Sequence, residues 1–189
     1  MKTNELIDLV KDRNNPNPFT RMKRLLECVS SDPTRAVLQR VKVEKEGEQT
    51  RITATDGRRL RSDLFDLQAA EGVYDIRANT ATQVLLTKNK ERLRFPDWRQ
   101  VLPREEKAWA LTGCGKNFIL WAGSSPGCRI DPKLVSVTEE EEVTLFIQRE
   151  EPALNPVMLK NETTIHIIMP VRVDEPWVAE LDRIRKKAA

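Results

Sequence analysis

Two short segments carry residues whose types and spacing suggest chemistry. Gly113-Cys114-Gly115-Lys116 resembles part of a phosphate-binding loop, but that loop needs glycine at 110 and serine or threonine at 117. The chain has Ala110 and Asn117 there, so the pattern fails. Asp56 is a possible lone catalytic carboxylate, yet no second acid or histidine lies near it in the sequence. An aspartate followed by glycine is more typical of a tight turn.

The remaining reactive residues do not assemble a site either. Glu139–Glu142 can be considered for a hard cation, but a run of like charges between strands is typical of a solvated turn. The three cysteines (Cys28, Cys114 and Cys128) are too few and too scattered for a disulfide framework. A single histidine gives no zinc-ligand spacing. We therefore predict no catalytic residue, no metal site and no cofactor, and expect the protein not to be an enzyme.

The elements that would position these residues begin with two predicted helices. Asn4–Arg13 has apolar residues at helical spacing and predicts a short amphipathic helix. The following asparagines and prolines predict a linker, and Asn17 with Pro18 is a typical helix start. The helix that follows has an apolar stripe, on which we place Cys28 as a core residue. The stripe consists of Phe19, Met22, Leu25, Leu26 and Val29.

From Ala36 the apolar residues alternate with polar ones, which is typical of strands. His166 alternates with apolar neighbours, so we expect it to be a structural histidine that faces outward. Lys116–Ala122 is a short apolar segment with helical character, and Asp174–Pro176 opens a last helix. The predicted strands are Ala36–Glu44, Thr50–Thr55, Arg58–Asp66, Val73–Ala78, Thr82–Thr87, Trp109–Leu111, Leu134–Thr138, Val143–Gln148, Pro156–Lys160 and Thr163–Val173. Many antiparallel strands with a few helices predict the α+β class.

The composition indicates a well-solvated chain that can bury a core. Of 189 residues, 39% are hydrophobic and 32% are charged, and the net charge is +3. Basic residues outnumber acidic ones in the first two-thirds, which permits contact with a phosphate backbone without requiring it. No window approaches the roughly 18 apolar residues of a membrane span, and the first 15 residues lack a signal-peptide apolar region. We expect a cytoplasmic protein.

Five strings, in this order along the chain, resemble one known family. They are Thr34–Leu38, Ala54–Leu60, Phe95–Pro103, Asn155–Lys160 and Met169–Val173. Together they resemble signatures of the bacterial DNA sliding clamp, the β subunit of DNA polymerase III. Each string is weak alone, but the Ala-Thr-Asp-Gly and Phe-Pro-Asp sequences are fairly specific. The resemblance is clearest at both ends of the chain and thin between Arg104 and Ser136.

The resemblance implies a clamp-like α+β fold, with antiparallel sheets and a few helices packed on one face. Family members have three clamp-fold domains and are longer, so this chain looks like the opening of a middle domain joined to the close of a last domain. We expect an N-terminal helical arm and linker at 1–18 and a first clamp-like half at 19–103. A second half at 104–173 and a C-terminal helix at 174–189 would follow.

The resemblance also implies a hydrophobic pocket for short peptides, often ending in Leu-Phe, from polymerases and repair proteins. Aliphatic groups and prolines would give it a rigid floor, a methionine would adapt to the guest, and arginine stems would cover its sides. An alternative is that these segments only close the core of a clamp-derived fold. The expected lining is Leu38, Thr55, Arg58, Arg59, Leu60, Pro96, Gln100, Val101, Met169, Pro170, Val171 and Arg172.

DNA contact is a further expectation. Clamps line their central hole with helices whose basic residues meet phosphates, and Arg21, Lys23, Arg24 and Arg35 suit that role here. The alternative is a solvated helix face. A chain this short either assembles from several copies to encircle a duplex, as a homo-oligomer, or does not encircle DNA at all.

The leading hypothesis is therefore a clamp-like DNA replication or repair accessory protein that binds partner peptides. A second hypothesis is a clamp relative that does not slide, with its pocket covered by the C-terminal helix. An enzyme on an unrelated α+β fold is the third.

Overall fold

The computed structural model describes residues 5–124 and 128–171, which form two compact units. The first unit consists of residues 5–102 together with Met158–Ile168. The second consists of residues 103–124, 128–157 and 169–171. The predicted C-terminal helix at 174–189 and the predicted pocket residue Arg172 lie outside the described residues. In the described part of the chain, no helix is both long and apolar enough to cross a membrane.

The described residues form ten strands and two α-helices. The helices are α1 (Asn17–Leu26) and α2 (Gly115–Ser124). The strands are β1 (Leu6–Val10), β2 (Val41–Glu46), β3 (Gln49–Thr55), β4 (Arg59–Phe65), β5 (Gly72–Asn79), β6 (Gln83–Lys88), β7 (Ala108–Cys114), β8 (Glu142–Gln148), β9 (Val157–Lys160) and β10 (Thr164–Ile168). The α+β class with antiparallel strands is confirmed.

In the first unit the strands lie in the order β1-β6-β5-β2-β3-β4-β10-β9, where Met158–Lys160 of β9 belong to this unit. The pairings of β1 through β6 and of β4 with β10 are antiparallel. Gly47, with a φ of 62°, makes the tight turn between β2 and β3. Hairpin connections therefore build most of this sheet from neighbouring segments of the chain.

Helix α1 covers one face of this sheet with its apolar stripe. Phe19, Met22, Leu25 and Leu26 are buried, as the helical spacing predicts. They form one core with residues of β1 through β6, and Tyr74 donates a hydrogen bond to the carbonyl of Ala70 at 2.7 Å within it. Cys28 belongs to the same core and is fully buried, as expected.

The second unit contains the β7–β8 hairpin and α2. The two strands are antiparallel with Leu111 opposite Leu145, and α2 packs on both of them. Gly115 has a φ of 80° at the start of α2, and a Cβ there would lie 2.4 Å from a carboxylate oxygen of Glu139. The predicted strand at Trp109–Leu111 and the helical character of Lys116–Ala122 are confirmed.

The prediction of a helix at Asn4–Arg13 is wrong, because residues 6–10 form β1. Ile7 is 4% exposed and packs in the core, whereas Leu6 is 42% exposed. The alternation of buried and exposed residues arises because β1 pairs with β6 along its whole length, with Ile7 opposite Leu86. Long-range pairing thus overrides a local pattern that fits helical spacing equally well.

Two predicted strands differ from the structure. Ala36–Gln39 forms a short 3-10 helix, and the strand begins only at Val41. The carbonyl of Leu38 there accepts a hydrogen bond from the backbone N–H of Ser30 at 2.9 Å, which holds this turn against the end of α1. The predicted strand at Leu134–Thr138 is absent, because Asp131 caps a single 3-10 turn at Pro132–Leu134.

The expectation that His166 faces outward is wrong. Its strand, β10, has β4 on one side and β9 on the other, and His166 is fully buried opposite Arg61. The Nε of Arg61 donates to Asp63 at 2.9 Å, and both of these side chains are also fully buried. Burial, with Arg61 and Arg59 nearby, lowers the pKa of His166 to about 3, so the imidazole is neutral at physiological pH.

Candidate functional site

The turn between β3 and β4 is held by hydrogen bonds of its own residues. Asp56 accepts from the backbone N–H groups of Arg58 at 2.8 Å and Arg59 at 3.0 Å. Thr55 donates its hydroxyl to the carbonyl of Arg59 and accepts from the N–H of Gly57, which has a φ of 89°. Asp56 is therefore a turn aspartate, as expected. The exposed Arg58 is the residue of this turn whose side chain is directed to solvent.

A second rigid segment is the 3-10 turn at Trp98–Val101. Asp97 caps it by accepting from the N–H of Arg99, and its other oxygen accepts from the amide of Gln100 at 3.1 Å. Trp98 is 5% exposed, and its Nε1 donates to Glu44 of β2 at 3.0 Å. Arg99 donates to the same carboxylate at 3.0 Å, and its guanidinium lies 4.5 Å from the centre of the Trp98 ring. The indole is thus fixed from two sides.

These two segments meet in one apolar cluster on the sheet face opposite α1. The cluster contains Leu60 of β4, Ile167 of β10 and Trp98, all buried, with Leu102 and Ile165 packed against them. Val41 and Val43 of β2 lie in the core under α1, so Glu44, the Trp98 partner, points to the other face. The first unit therefore has a preformed apolar cluster on this face, near the turn at Asp56, whose three core members are buried beneath the surface.

The structure brings only part of the predicted pocket to this surface. Leu60 lies in the cluster, and Val101, 45% exposed, is next to its member Leu102 in the chain. Thr55 is buried and used within the turn, while Leu38 is half-buried in the 3-10 helix after α1. Pro96 and Gln100 are exposed beside Trp98.

Arg59 points to the opposite face of the sheet from Leu60. Neighbouring residues of a strand alternate in direction, and the Arg59 guanidinium donates to the carbonyl of Glu27 at the end of α1. It also pairs with Asp56 at 3.3 Å. Arg59 therefore ties the turn to α1.

Three predicted pocket residues belong to the second unit. Met169 and Val171 are 39% and 43% exposed, and Pro170 is half-buried. The N–H of Val171 donates to the carbonyl of Arg129 at 2.8 Å within that unit. The side chains of Met169 and Val171 are thus available at its surface.

The predicted DNA-contacting residues are mostly engaged within the chain. Arg21 donates to the carbonyl of Leu64 at 2.6 Å and stacks on the Phe65 ring. Lys23 donates to Asn79 and to the carbonyl of Thr80. Arg24 is half-buried. Arg35, the exposed member, pairs with Asp32 at 3.5 Å and donates to the carbonyl of Asp56 at 3.4 Å.

Sequence reasoning missed the residues that build the apolar cluster. Trp98 lies inside the Phe-Pro-Asp-Trp string, and an aromatic residue in a proline-bounded loop was a usable signal for a buried anchor. Ile165 and Ile167 carry no such signal, because their membership depends on the pairing of β10 with β4. In the described residues, no group of three or more His, Cys, Asp or Glu is arranged to hold a metal ion.

Neither known protein families nor curated proteins give a match to this sequence. Solved structures do match. The DNA polymerase III subunit beta from Borrelia burgdorferi, solved in complex with a natural product, superposes with a TM-score of 0.58 at 12% identity. The match covers 91% of this chain and 65% of that one, so the chain spans less than two-thirds of the length of this clamp.

Two further sliding clamps match in the same way. That from Bacillus subtilis has a TM-score of 0.54 at 14% identity, covering 92% of this chain and 66% of its own. That from Pseudomonas aeruginosa has a TM-score of 0.54 at 16% identity, covering 92% of this chain and 68% of its own. At such identities the agreement concerns the fold. The chain has the clamp-like fold of bacterial DNA polymerase III beta subunits.

Proposed function

We propose that this protein is a clamp-like accessory factor of DNA replication or repair, which binds short peptides of partner proteins. The partners would be DNA polymerases or repair proteins that carry clamp-binding peptides. The binding surface in the first unit would lie over the buried cluster of Leu60, Trp98 and Ile167, with exposed Val101 and Arg58 at its border. No catalytic step is part of the proposal.

The observation that carries this proposal is the convergence of three distant segments on one apolar cluster. Leu60 follows the Thr-Asp-Gly turn, Trp98 follows Phe-Pro-Asp, and Ile167 precedes Met-Pro, so each belongs to or adjoins a string that resembles the clamp signatures. A surface whose aromatic side chain is already fixed costs little entropy when a ligand binds. The Borrelia burgdorferi clamp was solved in complex with a natural product, which supports the proposal of a ligand site on this fold.

The test is a titration of a labelled peptide ending in Leu-Phe with the full chain. Val101→Glu places a charge on the apolar border, and we expect it to weaken binding at least tenfold, about 1.4 kcal/mol. The matched control is Val10→Glu, at an exposed valine on β1 at the other edge of the sheet, which should leave affinity unchanged. Absence of binding to the intact chain would overturn the proposal.

Two truncations extend this test. Leu60→Ala removes a buried member of the cluster and should weaken binding, provided that circular dichroism shows a folded chain. Met169→Ala is measured separately, because Met169 is an exposed residue of the second unit. An unchanged affinity in the folded Leu60 variant would place the peptide elsewhere.

Double-stranded DNA and a homo-oligomeric ring are further parts of the proposal. Arg21, Lys23, Arg24 and Arg35 are the candidate cations on the α1 side, and Arg35 is the exposed member. Loose phosphate contact is sequence-independent and weakens with salt. Measurement of duplex binding at low and moderate salt tests this part independently of the peptide.

A further inference from the structure

A basic cavity lies in the first unit, and none of its lining residues is assigned to the proposed peptide or duplex sites. Its volume is about 540 Å³. Five basic side chains and one acidic side chain line it, namely Lys42, Lys88, Lys90, Arg92, Arg94 and Glu91. The four from Lys88 to Arg94 occur at every second residue, a local pattern visible in the sequence itself.

The cavity has a fixed frame. The N–H of Asn89 donates to the carbonyl of Val73 at 2.8 Å, and its side-chain amide donates to both oxygens of Asp75 at 3.0 Å. Phe95, 9% exposed, anchors the other end of the segment. A Cβ on Gly72 would lie 3.0 Å from Cε of Lys88, so glycine leaves room for the lysine stem. The basic segment is therefore attached to the sheet at Asn89 and ends at the buried Phe95.

Most of the positive charge in this cavity is uncompensated within the described residues. Lys88 lies 3.8 Å from the carboxylate of Glu5. The side chains of Lys42, Lys90, Arg92 and Arg94 make no ion pair or hydrogen bond with any residue that the structure describes. Like charges held close together repel and raise the local concentration of anions. Such an arrangement is stabilised when a ligand with several negative charges binds.

The cavity opens on the face of the sheet opposite α1. Lys42 lies between Val41 and Val43, which pack in the core under α1, so its side chain points the other way. Residues on the α1 side, such as Lys23, cannot share a ligand with it across the sheet. This site is therefore distinct from the proposed duplex contact.

We propose that this cavity binds the phosphate backbone of single-stranded nucleic acid. Lysine and arginine side chains neutralise phosphates and release condensed counterions, which supplies sequence-independent affinity. A basic groove that follows the backbone is the usual means of holding a single strand. A duplex is stiff over about 50 nm and does not bend into a concave site of this size, whereas a single strand does.

The test is fluorescence anisotropy of a labelled oligothymidine with the full chain. Lys90, Arg92 and Arg94 are exposed, so Lys90→Gln/Arg92→Gln/Arg94→Gln should fold normally. We expect this triple variant to weaken binding at least tenfold. Loss of three phosphate contacts should also reduce the slope of log K against log salt by about 2.

The matched control carries the same change in net charge elsewhere. Lys11→Gln/Arg13→Gln/Arg104→Gln removes three exposed cations that do not line the cavity. The affinity of this variant for oligothymidine should stay within twofold of that of the unaltered chain. Equal weakening by both triple variants would overturn the proposal, because net charge alone would then explain binding. Absence of oligothymidine binding would also overturn it.

Two competitors identify the ligand class. A duplex of the same length should bind more weakly at this site, and equal sensitivity of duplex binding to the cavity variant would contradict a single-strand site. Poly-glutamate that binds where oligothymidine does not would assign the cavity to acidic polypeptides and overturn the proposal. The Leu-Phe peptide assay does not involve these residues, so failure here and failure of the proposed function are distinguishable.

Discussion

At the scale of single residues, strand β4 carries two fully buried charges opposite β10. Arg61 and Asp63 form an ion pair with no solvent exposure, and His166 lies across from Arg61. Removing a buried charge partner leaves the other charge uncompensated and typically costs about 3–5 kcal/mol. Neither ring nitrogen of His166 has a hydrogen-bond partner among the described residues. Protonation of His166 beside Arg61 would therefore be strongly unfavourable in the folded state.

This arrangement predicts a loss of stability in mild acid. The pKa of His166 is about 3 in the folded protein and 6.5 as the ordinary value, so the unfolded chain binds the proton first. The contribution of the neutral His166 to the free energy of unfolding is therefore complete above pH 6.5. It is lost as the pH falls towards 3. Between pH 7 and pH 5 the free energy of unfolding should fall by about 2 kcal/mol. Urea denaturation at the two pH values measures this.

The control is His166→Gln, which removes the titrating group. In this variant the free energy of unfolding should change little between pH 7 and pH 5. If this variant does not fold, the imidazole proton resonance of the intact protein gives the same answer. The chain has one histidine, so assignment is unambiguous. A resonance that titrates near pH 6.5 in the folded protein would contradict the buried, neutral imidazole.

At the scale of elements, the helices and strands with a clear local periodicity are predictable from the sequence. The stripe of α1 and the alternation in β5, β6 and β8 define their own faces, and the structure has each of them. The local pattern of residues 6–10 predicts a helix, because a short apolar run fits both the helical and the strand period. The pairing partner, β6, lies more than 70 residues away in the chain, and only tertiary contact reveals it.

The strand assignment at β1 can be tested by two matched truncations. Ile7→Ala removes a core side chain and should lower the free energy of unfolding by about 2–4 kcal/mol. Leu6→Ala, one residue earlier and exposed, should change it by less than about 1 kcal/mol. Chemical denaturation of both variants measures the difference. Similar losses at the two positions would contradict a strand with Ile7 facing inward.

In the candidate site, too, the short motifs are visible in the sequence, whereas the contacts between distant segments are not. The Thr-Asp-Gly turn and the Phe-Pro-Asp loop are visible as strings, and in both an aspartate accepts a backbone N–H two residues later. The direction of each side chain is not visible in a string. Arg59 and Leu60 are neighbours in the sequence, yet they serve opposite faces of the sheet. Membership of a pocket therefore depends on the strand direction as well as on the motif.

At the scale of the whole molecule, β7 is the strand that bears on assembly. It pairs with β8 along one edge, and no described strand pairs with the other. Its seven residues include no charge and no proline, the usual means by which proteins protect an exposed edge. Trp109 and Leu111 are 42% and 38% exposed on it. We therefore expect this edge to be covered if the proposed homo-oligomer forms.

We expect the mass of the protein in solution to be at least twice the mass of one chain. Leu111→Lys places a charge on the unpaired strand and should shift the population towards single chains. Val10→Lys, on the exposed end of β1, is the matched control and should leave the mass unchanged. Light scattering coupled to size exclusion measures all three proteins. A single-chain mass for the unaltered protein at every concentration would contradict the oligomer.

The three cysteines differ in exposure, so one of them can be labelled selectively to probe the unpaired edge of β7. Burial raises the pKa of Cys28 to about 12 and that of Cys128 to about 11, so both thiols resist alkylation. Cys114, the last residue of β7, is exposed. A maleimide dye or nitroxide should therefore attach at one position without any engineered residue. Its rate of attachment would report whether another chain covers β7, and paired spin labels would give the spacing between copies directly.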